Sequence, residues 1–382
     1  MADRTSAALS RLTLTDFRNY EHLDLAFSKP LIAFVGDNGI GKTNILEAIS
    51  FLTAGRGLRR APFADVGRVS GPGSWSVSTI LNQNGDETRI GTGLTSGEAG
   101  RRVRIDGEDV RSSENLLDYM RVLWLVPSMD GLFTGPGSDR RRFLDRLTLS
   151  IDPTHGRRVS NFEKALRQRN KLLDHGGSPD FLSAIETQVA ELGTAVSLAR
   201  SETVTLLGET VKAQAETGLP FPLASLTLDG AFEMATRGMS ASDREDHYRD
   251  LLSEGRGRDR AAGRTLMGPH LSDLLVRHTA KDMPAAQSST GEQKALLIGL
   301  ILAHAELTAS ITGMTPVLLL DEIAAHLDPN RRKALFTRLL DLGGQVFMTG
   351  TDASLFEALP REGEVFEISC EGAALIDRQE TR

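Results

Sequence analysis

The chain is predicted to be an α/β protein: a parallel sheet carrying a phosphate-binding loop, an antiparallel β-region beside it, and an inserted helical lobe. Three observations predict this. The stretch Gly36-Asp37-Asn38-Gly39-Ile40-Gly41-Lys42-Thr43 follows the apolar run 31–35 and precedes Ile45, Leu46, Ala48, Ile49 and Leu52 at helical spacing. Far along the chain a second apolar run, Val317-Leu318-Leu319-Leu320, ends in Asp321-Glu322. From about residue 127 to 264 the texture between them is helical.

The bulk numbers set bounds. A length of 382 residues leaves room for two lobes with separate cores. Hydrophobic content of 40% and charged content of 25% are those of an ordinary globular protein. The one cysteine, Cys370, excludes an internal disulfide framework and suits a reducing cytosol. No basic segment followed by an apolar one opens the chain, and the longest apolar run, Ala295–Ala303, is too short to span a bilayer. A soluble, cytoplasmic protein without a membrane partner is expected. The net charge of −7 is uneven: residues 101–171 hold 15 Lys and Arg against 10 Asp and Glu. That local excess suits either a phosphate-backbone surface or ordinary solvated helix faces.

In chain order, Leu12, Leu14 and Phe17, then Leu23, Leu25 and Phe27, alternate as two strands joined around Arg18-Asn19-Tyr20-Glu21. Strand 31–35, the glycine loop and a helix to about residue 53 follow. Beyond the turn Gly55-Arg56-Gly57-Leu58-Arg59-Arg60, short strands at 75–81, 88–93 and 101–105 are separated by Asn84-Gly85-Asp86 and Asp106-Gly107-Glu108. Strand 122–126 is closed by Pro127. Helices then begin at Arg140-Arg141-Arg142-Phe143 and at 157–174, the second basic through Arg158, Lys164, Arg167, Arg169 and Lys171. Phe181, Ile185, Val189, Leu192 and Val196 form an apolar stripe that continues to about residue 216, long enough to suggest a protruding arm. A helix near 243–252, a mobile stretch at 254–263, a strand over 266–276, a helix from 291 to 308 and strands at 316–320, 345–348 and 365–368 complete the reading. The head lobe is expected to comprise 1–124 and 301–382, and the helical lobe 125–300.

The chemistry follows from the loop. Glycines let backbone N–H groups turn inward around phosphates, and the helix N-terminus adds partial positive charge. Lys42 is placed for the β- and γ-phosphates and Thr43 for Mg²⁺. Asp321, at a strand end, is placed to hold that metal through water, and Glu322 to deprotonate an attacking water. Ser288-Ser289-Thr290-Gly291-Glu292-Gln293-Lys294 opens an apolar helix; it is either a capping sequence or an anion contact. Ala325-His326-Leu327-Asp328-Pro329 and a strand end at Thr349-Gly350-Thr351-Asp352 follow.

Taken in this order, the motifs resemble the ATP-binding-cassette ATPase head of the SMC-like branch, in which two heads sandwich two ATP molecules. The resemblance implies that Ser289 and Gly291 touch the γ-phosphate bound by the other subunit and that Asp328 lies at the subunit interface. Thr351 stands where a switch histidine is usual, which implies slow, regulated hydrolysis. Arg18 stands where related heads place a phosphate-contacting arginine; the alternative is a solvated turn residue. Asp16-Phe17-Arg18-Asn19-Tyr20, the loop through Asn44, Arg141-Arg142-Phe143-Leu144-Asp145, Gly268-Pro269-His270, Ser289–Lys294 and 320–328 together resemble the RecF family of bacterial recombination mediators. Leu271 departs from an expected Arg, and Pro136 is shifted. The family resemblance implies a DNA-stimulated, weak ATPase that dimerises on ATP and binds gapped DNA without sequence preference. It further implies cooperation with RecR and RecO, RecA loading in replication, repair and the SOS response, and a nucleoid-associated cytoplasmic location.

Other residues remain open between two readings. Arg59 and Arg60 are either interface cations or solvated, and Arg141 and Arg142 make either internal ion pairs or DNA contacts. Helix 157–171 is the preferred DNA-facing surface. His270 and His326 lack metal-ligand spacing, and Cys370 is read as structural. A transporter ATPase subunit would carry a glutamine after strand 122–126 and a switch histidine, neither of which is present. A nucleotide-gated scaffold would not need Glu322.

Overall fold

The computed structural model describes residues 5–217, 220–370 and 372–376. Strands β1 (Thr5–Phe17) and β2 (Tyr20–Ala26) form an antiparallel hairpin. Strand β3 (Leu31–Val35), buried at every position, delivers the glycine loop into helix α1 (Lys42–Ser50). Strands β4 (Trp75–Gln83), β5 (Asp86–Leu94), β6 (Arg102–Ile105) and β7 (Glu108–Asp109) extend the sheet from β1. Their turns, Asn84-Gly85 and Asp106-Gly107, have positive φ at both residues, as tight type I′ hairpins require. After β8 (Val122–Leu125) come α2 (Gly137–Ile151), α3 (His155–Asp174) and α4 (Pro179–Ala213). Then follow β9 (Ala224–Asp229), α5 (Ala231–Ala235), α6 (Ala241–Glu254), α7 (Arg256–Ala262), β10 (Asp273–His278), β11 (Met283–Pro284) and α8 (Thr290–Thr312). The chain ends through β12 (Met314–Thr315), β13 (Val317–Leu320), α9 (Pro329–Asp341), β14 (Val346–Thr349), β15 (Gly363–Ser369) and β16 (Gly372–Ile376).

Two compact units result. One comprises the chain up to Asp130, a short stretch ending at Phe221, and the chain from Ile301; the other comprises Gly131–Thr217 and Pro222–Leu300.

In the first unit a six-stranded sheet runs β16-β15-β3-β14-β13-β8, parallel except for the β15–β16 hairpin. Met348 lies level with both Leu320 and Ala33, so β3, β14 and β13 end along one edge. Phe27, Phe34, Phe347 and Phe366 pack as a ring cluster, with Phe27 and Phe347 centroids 5.1 Å apart. Phe17, Phe51 and Trp75 join the antiparallel sheet to α1. Helix α1 ends at Ser50, short of the expected residue 53. The half-buried Arg101 donates to the carbonyls of Phe51, Thr53 (2.7 Å) and Gly55 (3.2 Å), satisfying chain-end acceptors outside the helix. Burial lowers its pKa to about 10, and the Phe51 and Phe63 rings lie at 5.6 and 5.9 Å from its carbon centre.

The second unit is mainly helical, with a three-stranded sheet β11-β10-β9. The expected apolar stripe is displaced by one residue at its start: Leu182 is buried, whereas Phe181 is 69% exposed. Leu182, Val189, Ala190, Val196, Leu207 and Val211 are buried along α4, so one face of this 35-residue helix is packed along its length rather than standing free as a protruding arm. The expected mobile stretch 254–263 is mostly helix α7. Asp259 fixes it there by accepting Arg169 and the Leu266 N–H. The expected strand over 266–276 starts only at Asp273, because Gly268 (φ 137°) and Pro269 turn the chain first. Helix α8 is longer than its uninterrupted apolar run. By length and composition it could cross a bilayer, but 72% of its most apolar window is buried, as in a core helix.

Candidate nucleotide-binding site

Helix α1 starts directly at Lys42, so the glycine loop occupies the turn between β3 and the helix N-terminus. Two glycines are fixed by their surroundings. A Cβ at Gly36 (φ 138°) would lie 2.4 Å from the Ile368 carbonyl, and one at Gly41 (φ 120°) 2.6 Å from Asn19 and Tyr20 side chains. Lys42 is buried, and its Nζ donates to the carbonyls of Gly36 (2.6 Å) and Asp37 (2.8 Å), which holds the ammonium inside the loop. Burial pushes its pKa down, while Glu322, Asp321 and Asp37 oppose the shift. Asn38, Gly39 and Ile40 complete the turn, and Asn19 Nδ2 donates to the Ile40 carbonyl at 2.9 Å.

The second half of the site meets the first at the sheet edge. Thr43 Oγ1 donates to Asp321 Oδ1 at 3.0 Å and Oδ2 at 3.1 Å. Glu322 follows in a left-handed conformation (φ 52°, ψ 28°), a state costing about 1–3 kcal/mol for a non-glycine residue. Among the described residues no cluster of three or more His, Cys, Asp or Glu could hold a metal ion. A hydroxyl and a carboxylate converging on one point do fit a hard cation that takes its remaining oxygens from phosphate and water.

The structure brings Lys42, Thr43, Asp321 and Glu322 together in one unit. Arg18 (φ 54°) directs its guanidinium to Glu47, with Nε and Nη2 at 2.8 and 2.6 Å from the carboxylate, and donates from Nη1 to the Asp65 carbonyl at 2.6 Å. Arg59 reaches the same carboxylate and Asn44 Oδ1. Glu47 has no exposure and went unnoticed in the sequence, because an acidic residue in a helix ordinarily reads as a solvent face. Asp328 is exposed and caps α9 through the Arg331 N–H. Thr351 is exposed beyond β14. Thr349, not Thr351, touches the Asp321 carboxylate: its hydroxyl donates to Oδ1 at 2.6 Å. Only its place at a strand end could have signalled this.

In the other unit, Ser289 and Glu292 form a capping box at the start of α8. Ser289 N and Oγ donate to Glu292 Oε2 at 3.1 and 3.0 Å, and Lys281 pairs with the same carboxylate. Lys281 and Ser289 hold the Glu292 pKa down at about 2. Gly291 is exposed, with open space where a Cβ would stand. Arg140 pairs with Asp273, Arg141 donates to the Ser272 carbonyl and Arg142 pairs with Asp139, while Phe143 is buried. On α3, Arg169 is fully buried and therefore leaves the expected DNA-facing set. Arg157, Lys164, Arg167 and Lys171 are exposed. His270 Nε2 donates to the Thr265 carbonyl of its own turn at 3.0 Å, the side chain of His326 lies outside what is described, and Cys370 is exposed.

A parallel sheet with a phosphate loop, an antiparallel β-region and two acidic residues at the end of the strand two places along defines an SMC-type head. The family model described as RecF/RecN/SMC N terminal domain matches residues 8–370. A solved SMC head bound to the C-winged helix domain of ScpA superposes with TM-score 0.56 at 15% identity, covering 97% of this chain and 98% of that one. A structure described as the recombination mediator protein RecF-ATPrS in the RecFOR pathway superposes with TM-score 0.86 at 22% identity, over 99% of this chain and 100% of that one. The DNA replication and repair protein RecF of Mesorhizobium japonicum is 56% identical over 92% of this chain and 93% of its own; that of Brucella suis is 54% identical over 96% and 95%. The chain belongs to the RecF family.

Proposed function

We propose that this protein is an ATP-driven, DNA-binding recombination mediator acting in the bacterial cytoplasm at the nucleoid. The observation that carries the reading is the meeting of Lys42, Thr43 and Asp321 at one sheet edge, with Glu322 next in the chain. Phosphate oxygens would replace the loop carbonyls as partners of Lys42, and loop N–H groups would face the anion. Mg²⁺, held by Thr43 and through water by Asp321, would neutralise charge between the β- and γ-phosphates. Glu322 would orient the attacking water and take its proton.

Ser289 and Gly291 would complete the site of a second copy, and Asp328 would lie near that contact, so ATP drives dimerisation and hydrolysis reverses it. Thr351, uncharged where a histidine is usual, fits slow hydrolysis; single-turnover rates like those of transport ATPases would contradict it. The exposed cations Arg157, Lys164 and Lys171 recur every seven residues on one face of α3 and suit salt-sensitive, sequence-independent contact with DNA phosphates. The names borne by the relatives and by the solved RecF structures support a role in DNA replication and repair and in the RecFOR pathway. Cooperation with RecR and RecO, with RecA loading in repair and SOS induction as the outcome, is the finer part of the proposal.

The test compares nucleotide binding and hydrolysis, with and without gapped DNA, in wild type, Lys42→Ala and Glu322→Gln. Lys42→Ala is expected to lose ATP binding, and Glu322→Gln to bind ATP while losing turnover. Undiminished ATP binding by Lys42→Ala would remove the loop assignment. Full turnover by Glu322→Gln would show that another group is the base.

A further inference from the structure

We propose that Thr349 is the positioning residue that holds the Asp321 carboxylate and the Glu322 backbone at the nucleotide site, a role that rests on the hydrolytic reading above. Strand order dictates its location. Because β14 lies between β3 and β13, its last side chain stands between the phosphate loop and the two carboxylates. Thr349 is fully buried. Its hydroxyl donates to Asp321 Oδ1 at 2.6 Å and accepts the Glu322 N–H at 2.9 Å, so one group serves two neighbours with different tasks.

The first bond shares Asp321 Oδ1 with Thr43 (3.0 Å), so the carboxylate is held from two sides and kept turned toward the loop. The second bond acts on the backbone. Glu322 adopts a left-handed conformation that L-residues take only when their surroundings impose it, and its N–H is anchored on Thr349. Without that anchor the half-buried N–H loses its partner and the turn relaxes, redirecting the Glu322 side chain. Thr351 makes neither contact.

Thr349→Val keeps the shape and removes the hydroxyl; Thr349→Ser restores it. Thr349→Val is expected to lower kcat for ATP hydrolysis about 10–100-fold, the range typical of lost partners behind a metal-site carboxylate, with KM for ATP little changed. The gain in ATP affinity on adding Mg²⁺ shrinks by a comparable factor, and the Glu322 amide exchanges hydrogen faster. Thr349→Ser recovers most of all three. Wild-type turnover and wild-type Glu322 protection in Thr349→Val would overturn the proposal. So would a loss of kcat that tracks loss of folded protein and is not rescued by Thr349→Ser. A wild-type protein that binds ATP without hydrolysing it, DNA included, would overturn the hydrolytic reading itself, an outcome distinguishable from the other two.

Discussion

Glu47 carries one negative charge into a fully buried position and meets two guanidinium groups there, Arg18 and Arg59. The pair of arginines leaves a net positive charge beside the phosphate loop. Asn44 bonds Arg59 and Asn19, and Asn19 bonds the Ile40 carbonyl, so a hydrogen-bonded chain runs from this carboxylate to the loop. Glu47→Ala removes charged hydrogen bonds from two arginines that remain partly exposed, and is expected to cost about 1.5–3 kcal/mol of unfolding free energy. Urea denaturation measures it, and a loss below about 1 kcal/mol would show that solvent or another group takes over the arginines. The glycine loop and Asp321-Glu322 were legible in the sequence because phosphate and metal chemistry demand those residue types at those places. Glu47 and Thr349 were not, since their meaning lies in partners 29 residues before and 28 residues before them in sequence.

Helices α2, α3 and α4 illustrate what periodicity can and cannot give. Their existence and approximate bounds followed from spacing and breakers, because the 3.6-residue repeat of apolar positions is a local property. Which basic residues faced inward did not follow. Arg169 looked like a surface cation, yet it is held without exposure by Glu186, Asp259, Thr265 and the Leu252 carbonyl. Arg200 and His155 similarly converge on Asp145, each at 2.8 Å. Burial raises the Asp145 pKa, but His155 and Arg200 outweigh it and hold the carboxyl below its ordinary range. A depressed carboxylate stabilises the fold above its unfolded pKa, and that contribution is lost as pH falls through the folded value. Asp145→Asn is therefore expected to lower stability at neutral pH and to flatten the acid limb of the stability profile below about pH 4. An unchanged acid limb in thermal melts from pH 7 to pH 3 would assign the acid sensitivity elsewhere.

At the scale of the whole molecule, each unit carries its own hydrophobic core, and the motifs are divided between them. The loop, Asp321, Glu322 and Asp328 belong to one unit, and Ser289 with Gly291 to the other. The order of these motifs along the chain, with a helical insertion between the loop and the carboxylates, was the most informative feature of the sequence. The proposed cycle makes nucleotide occupancy control self-association, and self-association control residence on DNA. The most direct measurement is the mass of the protein in solution, with and without ATP and Mg²⁺, for wild type and Glu322→Gln, each with and without gapped duplex DNA. The account predicts an ATP-dependent shift from monomer to dimer, transient in wild type, trapped in Glu322→Gln and strengthened by DNA. A mass unchanged by ATP in both proteins, at concentrations where ATP is bound, would contradict it.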